Sequence, residues 1–190
     1  KDGSYSLSFG YYNRNTEEQM DVPIGSDNFV TPGAANQGQP SSFAPRRHWG
    51  VFALVVPANF GTKQVVWTVK DRGQTFAIAG SLKPDWEIDA VEGEASSNNT
   101  PPALRFTAEG PEGRGPLGVT GSPLRTRVGT PVSLSVMVTD DARTKAPVDL
   151  TWFKHQGPGT VTFSAPTNRL APTGGTGTTT ATFSRAGDYR

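Results

Sequence analysis

Val65–Gly80 reads VVWTVKDRGQTFAIAG, and this stretch decides the fold class. Val65, Trp67 and Val69 recur at a period of two, the signature of a strand with one buried face rather than of a helix. Asp71-Arg72-Gly73 supplies turn residues, and Phe76 and Ile78 repeat the alternation on the way back. The expectation is a β-hairpin with Trp67 turned inward, where a large aromatic contributes most to a core.

The same period extends to either side. SYSLSFGYY, Ser4–Tyr12, alternates Tyr5, Leu7 and Phe9 with small residues. WGVFALVVP, Trp49–Pro57, is apolar on both faces, which predicts a central, buried strand. The segment 13–47 carries prolines, glycines, Asn and Asp, and reads mostly as loop. It exceeds the roughly 12–15 residues usual for a structureless connection. It is therefore expected either to pack as an ordered loop or to contact something else, and a contact surface for another protein is the favoured role. KPDWEIDAV, Lys83–Val91, is expected to end in a short strand.

EGEASSNNTPPA, Glu92–Ala103, is polar, aperiodic and rich in Ser, Asn and Pro, as a joint between domains should be. Beyond it the punctuation is clearer. ALRFTAE (Ala103–Glu109) is a strand and GPEGRGPLGVTGSP (Gly110–Pro123) a loop. VSLSVMVTDD (Val132–Asp141) places Val132, Leu134, Val136 and Val138 on one face. VDLTWFKHQ (Val148–Gln156) aligns Val148, Leu150 and Trp152, with Trp152 expected at the core centre against Leu134, Val136 and Phe183. TVTFSA turns Val161 and Phe163 inward, and TTTATFSRAGDYR (Thr178–Arg190) does the same with Ala181 and Phe183. Strands at about ten-residue spacing with alternating faces predict a β-sandwich.

The fold class is thus all-β: two β-sandwich, immunoglobulin-like domains in tandem, the second incomplete at its C-terminus. The expected organisation is an N-terminal domain over 1–91 with its long loop 13–47, a linker over 92–102, and a domain over 103–190 that lacks most of its last two strands. Composition agrees. The 190 residues include 22 Gly and 16 Pro, the two poorest helix formers.

Charge and composition exclude several roles. A net charge of +1 provides no field of one sign to gather nucleic acid. There is no cysteine, hence neither a disulfide framework nor a thiolate metal site. No apolar run reaches the ~18 residues of a transmembrane helix. A first residue of Lys1 rather than Met is expected of a processed or partial chain, with any signal peptide already absent.

The order VGTPVSLSVMVTDD, VDLTWFKHQGPGTVTF, TTTATFSRAGDYR resembles bacterial immunoglobulin-like modules of the polycystic-kidney-disease type, over about Val128 to Arg190. The resemblance implies that the first block opens and closes strand B, the second forms strand C and its hairpin, and the third forms strand E and the entry to F. It implies that Tyr189 is the corner residue. The chain departs from the pattern by stopping two residues into strand F, and continuation of the polypeptide is the favoured expectation over strand donation by another chain. Such modules are commonly spacers or adhesive units, so the resemblance also implies a periplasmic, cell-surface or extracellular bacterial setting. The N-terminal half resembles uncharacterised exported bacterial proteins.

Chemistry is sparse. His48 and His155 are expected to be solvated loop imidazoles, and no nucleophile elbow accompanies them. Glu17–Glu18, Glu92/Glu94 and Asp140–Asp141 are carboxylate pairs, but neighbours on a strand point to opposite faces. Asp140 and Asp141 read as a turn in preference to a Ca²⁺ site. GPEGRGPLG lacks the Lys-Ser/Thr of a phosphate loop, and Asn98-Asn99-Thr100 is a glycosylation pattern by chance. No catalytic residue, cofactor or metal is assigned, and the protein is not expected to be an enzyme.

Arg46 and Arg47, in the compact cationic-aromatic run Arg46-Arg47-His48-Trp49, are candidates to bind a carboxylate, a phosphate or a partner's acidic face, although a plain turn with Trp49 entering the core is the more ordinary reading. Trp86 is the third candidate, to pack the domains or face a partner. The expected function is a non-enzymatic structural, adhesive or accessory subunit of an envelope or extracellular assembly, with other protein subunits as partners. The alternative is a carbohydrate-binding or spacer module of a secreted hydrolase, with polysaccharide as partner. That alternative requires Tyr11, Tyr12 and Trp86 on one exposed face.

Overall fold

The computed structural model describes residues 3–87 and 100–190. Among them the protein is all-β, with thirteen strands in five small sheets and only single-turn 3-10 segments as helix. The chain divides into two compact units. The first runs to Glu87 and also takes in His155–Gly157 and Tyr189–Arg190; the second runs to Lys154 and holds Pro158–Asp188. The expected domain over 103–190 is therefore not one uninterrupted piece. The reason is hydrogen bonding: Ser41 N–H donates to His155 O at 2.9 Å, and Arg190 N–H donates to Gln156 O at 3.1 Å. Most of the expected linker, 92–99, lies outside the described residues. So do Glu92, Glu94 and the Asn98-Asn99 part of the glycosylation pattern.

In the first unit the strands are β1 (Tyr5–Asn13), β2 (Met20–Asp21), β3 (Asn28–Thr31), β4 (Ser42–Phe43), β5 (Arg46–Val56), β6 (Val65–Asp71) and β7 (Gln74–Gly80). β6 and β7 form the expected hairpin, Asp71 pairing with Gln74. Its two-residue turn has Arg72 at φ 48° and Gly73 at φ 76°, the left-handed pair whose twist suits a tight antiparallel hairpin. β3 joins the other edge of β6, opposing Val30 to Trp67.

β1 and β5 make a separate antiparallel ribbon. One face of it is apolar and buried through Leu7, Phe9, Phe52 and Val56. Phe9 stacks on Phe52 at 4.9 Å, and Phe52 meets Trp67 edge-on at 5.1 Å. Trp67 is fully enclosed, with Val22, Val30, Phe43, Phe60 and Val65 completing the cluster. The expectation that β5 is a central strand buried on both faces is corrected. β5 pairs with β1 alone, and Val55 on its outer face is 59% exposed. Phe76 and Ile78 likewise stay partly open, because β7 is an edge strand.

The segment 13–47 packs as ordered structure and contains β2, β3 and β4. Polar side chains hold it where apolar ones are scarce. Buried Asn28 donates to the carbonyls of Val22 and Pro40 at 2.9 and 2.8 Å and accepts the Trp67 indole N–H at 3.0 Å. Gln39, also buried, donates to Ala35 O and accepts from Gln37 N–H. These bonds satisfy four backbone groups and the Trp67 indole, which burial would otherwise leave costly. Lys83–Glu87 does not begin a strand: Pro84–Trp86 is a 3-10 turn, and residues 88–91 lie outside the described set.

In the second unit the strands are β8 (Ala103–Arg105), β9 (Val132–Thr139), β10 (Val148–Thr151), β11 (Val161–Phe163), β12 (Thr167–Leu170) and β13 (Gly174–Phe183). Four form a sheet in the order β11-β13-β9-β8, and β10 pairs with β12. β9 alternates as expected, with Val136 and Val138 buried and Ser133 and Ser135 exposed. Gly174 opens β13 at φ 93°, and a Cβ there would strike the Val138 carbonyl. Trp152 is a correction. It is half-buried just past β10 rather than central, and its indole N–H is taken by Asn168 Oδ1 at 2.9 Å. Phe163 and Phe183 are also half-buried; the enclosed apolar side chains are Ala103, Val136, Val138 and Ala181.

Candidate functional site: the outer face of the β1–β5 ribbon

Tyr12 and Arg47 are direct cross-strand partners, so their side chains share a face. That face points away from Phe9 and Phe52. The register slips between Phe9 and Tyr11: Phe9 opposes Phe52, Tyr11 opposes His48, and Trp49-Gly50-Val51 faces Gly10 alone. Such a bulge re-aims side chains. Gly50 takes φ 56°, and a Cβ on Gly10 would fall 2.6 Å from His48 O, so both glycines fit the close approach the bulge requires.

Trp49 consequently stands 79% exposed and Tyr12 50% exposed. The expected entry of Trp49 into the core is overturned. The Arg47 guanidinium lies over both rings, 4.8 Å from the Tyr12 centroid and 5.1 Å from that of Trp49. Arg46, next to it, opposes Asn13 and is exposed with φ 76°. Among the described residues no carboxylate pairs with Arg46 or Arg47. Several other arginines have acidic partners: Arg72 bonds Glu18 at 2.9 Å, and Glu112 takes Arg105 and Arg114 at 2.7 and 2.9 Å. Hydrogen bonds from Arg114 and Arg105 hold the Glu112 carboxyl below its ordinary range. The GPEGRGPLG stretch is thus an ordered, ion-paired loop.

Trp86, in its 3-10 turn, is 63% exposed. No ring contact or hydrogen bond joins it to Arg46 or Arg47 among the described residues. Tyr11 is half-buried, its hydroxyl accepting from Ala44 N–H at 2.9 Å. Burial pushes that phenol's pKa up, partly offset by the Ala44 bond. Tyr11 and Tyr12 are neighbours on one strand and face opposite ways. The platform of Tyr11, Tyr12 and Trp86 on one face therefore does not form.

The histidines have backbone partners. His48 Nε2 sits 2.9 Å from Pro45 O, and its ring lies 5.0 Å from that of Tyr11. His155 is not a solvated imidazole. Burial lowers its pKa, against a contact of 2.7 Å with Gly38 O, and Arg190 lowers it further. Asp140 and Asp141 accept from Ala142 and Arg143 N–H, two residues on, and so cap their own turn. A shallow cleft is lined by Asp21, Asp27, Lys70, Asp71 and Arg72. Its charges answer one another, Lys70 with Asp27 and Arg72 with Asp71, each at 3.8 Å. No helix among the described residues is long and apolar enough to cross a membrane.

An all-β molecule with an open cationic-aromatic face is the class that fold and site define. Compared with known proteins, the chain matches no family model, no curated protein and no solved structure.

Proposed function

We propose that the protein is a non-enzymatic structural, adhesive or accessory subunit of a bacterial envelope or extracellular assembly, and that it holds other protein subunits through the outer face of the β1–β5 ribbon. The stack of Tyr12, Arg47 and Trp49 carries this reading. A large exposed indole costs solubility unless something covers it, and Trp, Tyr and Arg are the side chains that dominate protein interfaces. Each exposed cation–π contact is worth about 0.5–1 kcal/mol, enough to hold the guanidinium in place before a partner arrives. Less ordering entropy is then lost on binding. The envelope or extracellular setting, and the kinship with immunoglobulin-like modules of the polycystic-kidney-disease type, rest on the motifs in Val128–Arg190.

Fractionation of the producing cells tests the reading. The wild-type protein is expected in the envelope or extracellular fraction, bound to other proteins. The double variant Arg47→Ala, Trp49→Ala should be released from them while keeping its β-rich circular dichroism spectrum. Equal retention of the two would overturn the assignment of this face.

A further inference from the structure

We propose that the partner docks as an extended polypeptide segment that adds a strand to the outer edge of β5 and sets a carboxylate against Arg47. This rests on the reading of the ribbon's outer face as a protein contact and specifies its mode. β5 is an 11-residue strand that, among the described residues, pairs with β1 alone. Among the described residues no other backbone–backbone bond reaches it. Its far edge therefore presents a row of N–H and C=O groups, which is a template for a further strand.

Natural edge strands are usually guarded by charge, proline or brevity. From Trp49 to Val56 there is neither charge nor proline, and the strand is long. The bulge lies toward one end, so the stretch from Phe52 to Val56 remains regular in its pairing with Phe9 to Tyr5. Charge appears just where the open stretch begins. Arg46 and Arg47 lack a carboxylate among the described residues, and Arg47 is steadied by two rings with its planar N–H fork free of any acid. That fork matches an Asp or Glu side chain in a bidentate pair. β7 is also an uncharged edge, but the cations at its turn are answered: Lys70 and Arg72 have acidic neighbours. Charge complementarity thus selects β5 and an acidic segment.

The test uses the whole chain and three synthetic probes. The first is a short peptide of alternating valine and threonine with glutamate at each end. The second replaces both glutamates with lysine. The third is the glutamate peptide with alternate backbone nitrogens methylated. Calorimetry reads affinity, and amide exchange of residues 46–56 reads strand addition. The glutamate peptide should bind and slow exchange along β5, the lysine peptide should be at least about tenfold weaker, and methylation should abolish binding. Arg47→Glu should reverse the glutamate–lysine preference, and Arg47→Gln should erase it. Binding that survives methylation would overturn strand addition while leaving a side-chain contact with protein intact. Binding of polygalacturonate in place of any peptide would overturn both, and absence of binding by every peptide would overturn strand addition alone.

Discussion

At the scale of single residues, the first unit depends on a few polar side chains that the core encloses. Asn28→Ala would strip partners from two carbonyls and from the Trp67 indole. An orphaned buried group costs about 1–3 kcal/mol, so a loss of about 3 kcal/mol is expected from urea denaturation. Trp67→Ala should cost about 3–5 kcal/mol, as for other enclosed aromatics. Trp152→Ala should cost distinctly less, because that ring is only half-buried. His155 gives a pH signature. Its folded pKa is lowered from 6.5, chiefly by burial, so the unfolded chain binds the proton more readily. Stability should be full above about pH 6.5 and fall as the pH drops below it, levelling off beneath the folded pKa. His155→Gln should lose that dependence; identical pH profiles for the two proteins would contradict it. Neither role is visible in the sequence. Asn28 sits in what looks like a loop, and His155 becomes half-buried against Gly38, more than a hundred positions away.

At the scale of elements, legibility follows the range of the forces. The β6–β7 hairpin is readable because alternation, turn and register all lie within sixteen residues of sequence. Its turn is testable. Gly73→Ala should cost about 1–2 kcal/mol, since φ 76° is left-handed territory. Arg72→Asn should be neutral or slightly stabilising, because Asn-Gly suits this turn and the lost Glu18 pair is exposed. Thermal denaturation of both variants separates the two effects. The short strands β2, β3, β4 and β12 could not be read locally, since two to four residues carry too little periodicity. β5 misled for a different reason. Its apolar residues on both faces suggested a central strand, whereas among the described residues it pairs with β1 alone, and Trp49 and Val55 on its outer face stay exposed.

At the scale of the whole molecule, the two units differ in how much apolar surface they enclose. Among the described residues, ten apolar side chains form the buried cluster of the first unit, and four are enclosed in the second. Amide exchange should accordingly be slowest around Val30 and Trp67 and faster along β9 and β13. The all-β class was legible throughout, because periodicity and turn chemistry report it at every step. The candidate site was legible by half. Arg46 and Arg47 stand out as a cationic pair beside an aromatic, but the outward turn of Trp49 depends on a bulge, and the meeting of Arg47 with Tyr12 on a register thirty-five residues apart. The central claim is that this outward face is where the protein meets other proteins. A photo-crosslinking phenylalanine analogue at position 49, which keeps an aromatic ring beside Arg47, tests it most directly in living cells, with Ser133 on the exposed side of β9 as the control position. A discrete protein adduct from position 49, absent from position 133 and diminished by Arg47→Glu, is the predicted result. No adduct from position 49, or the same adducts from both positions, would contradict it.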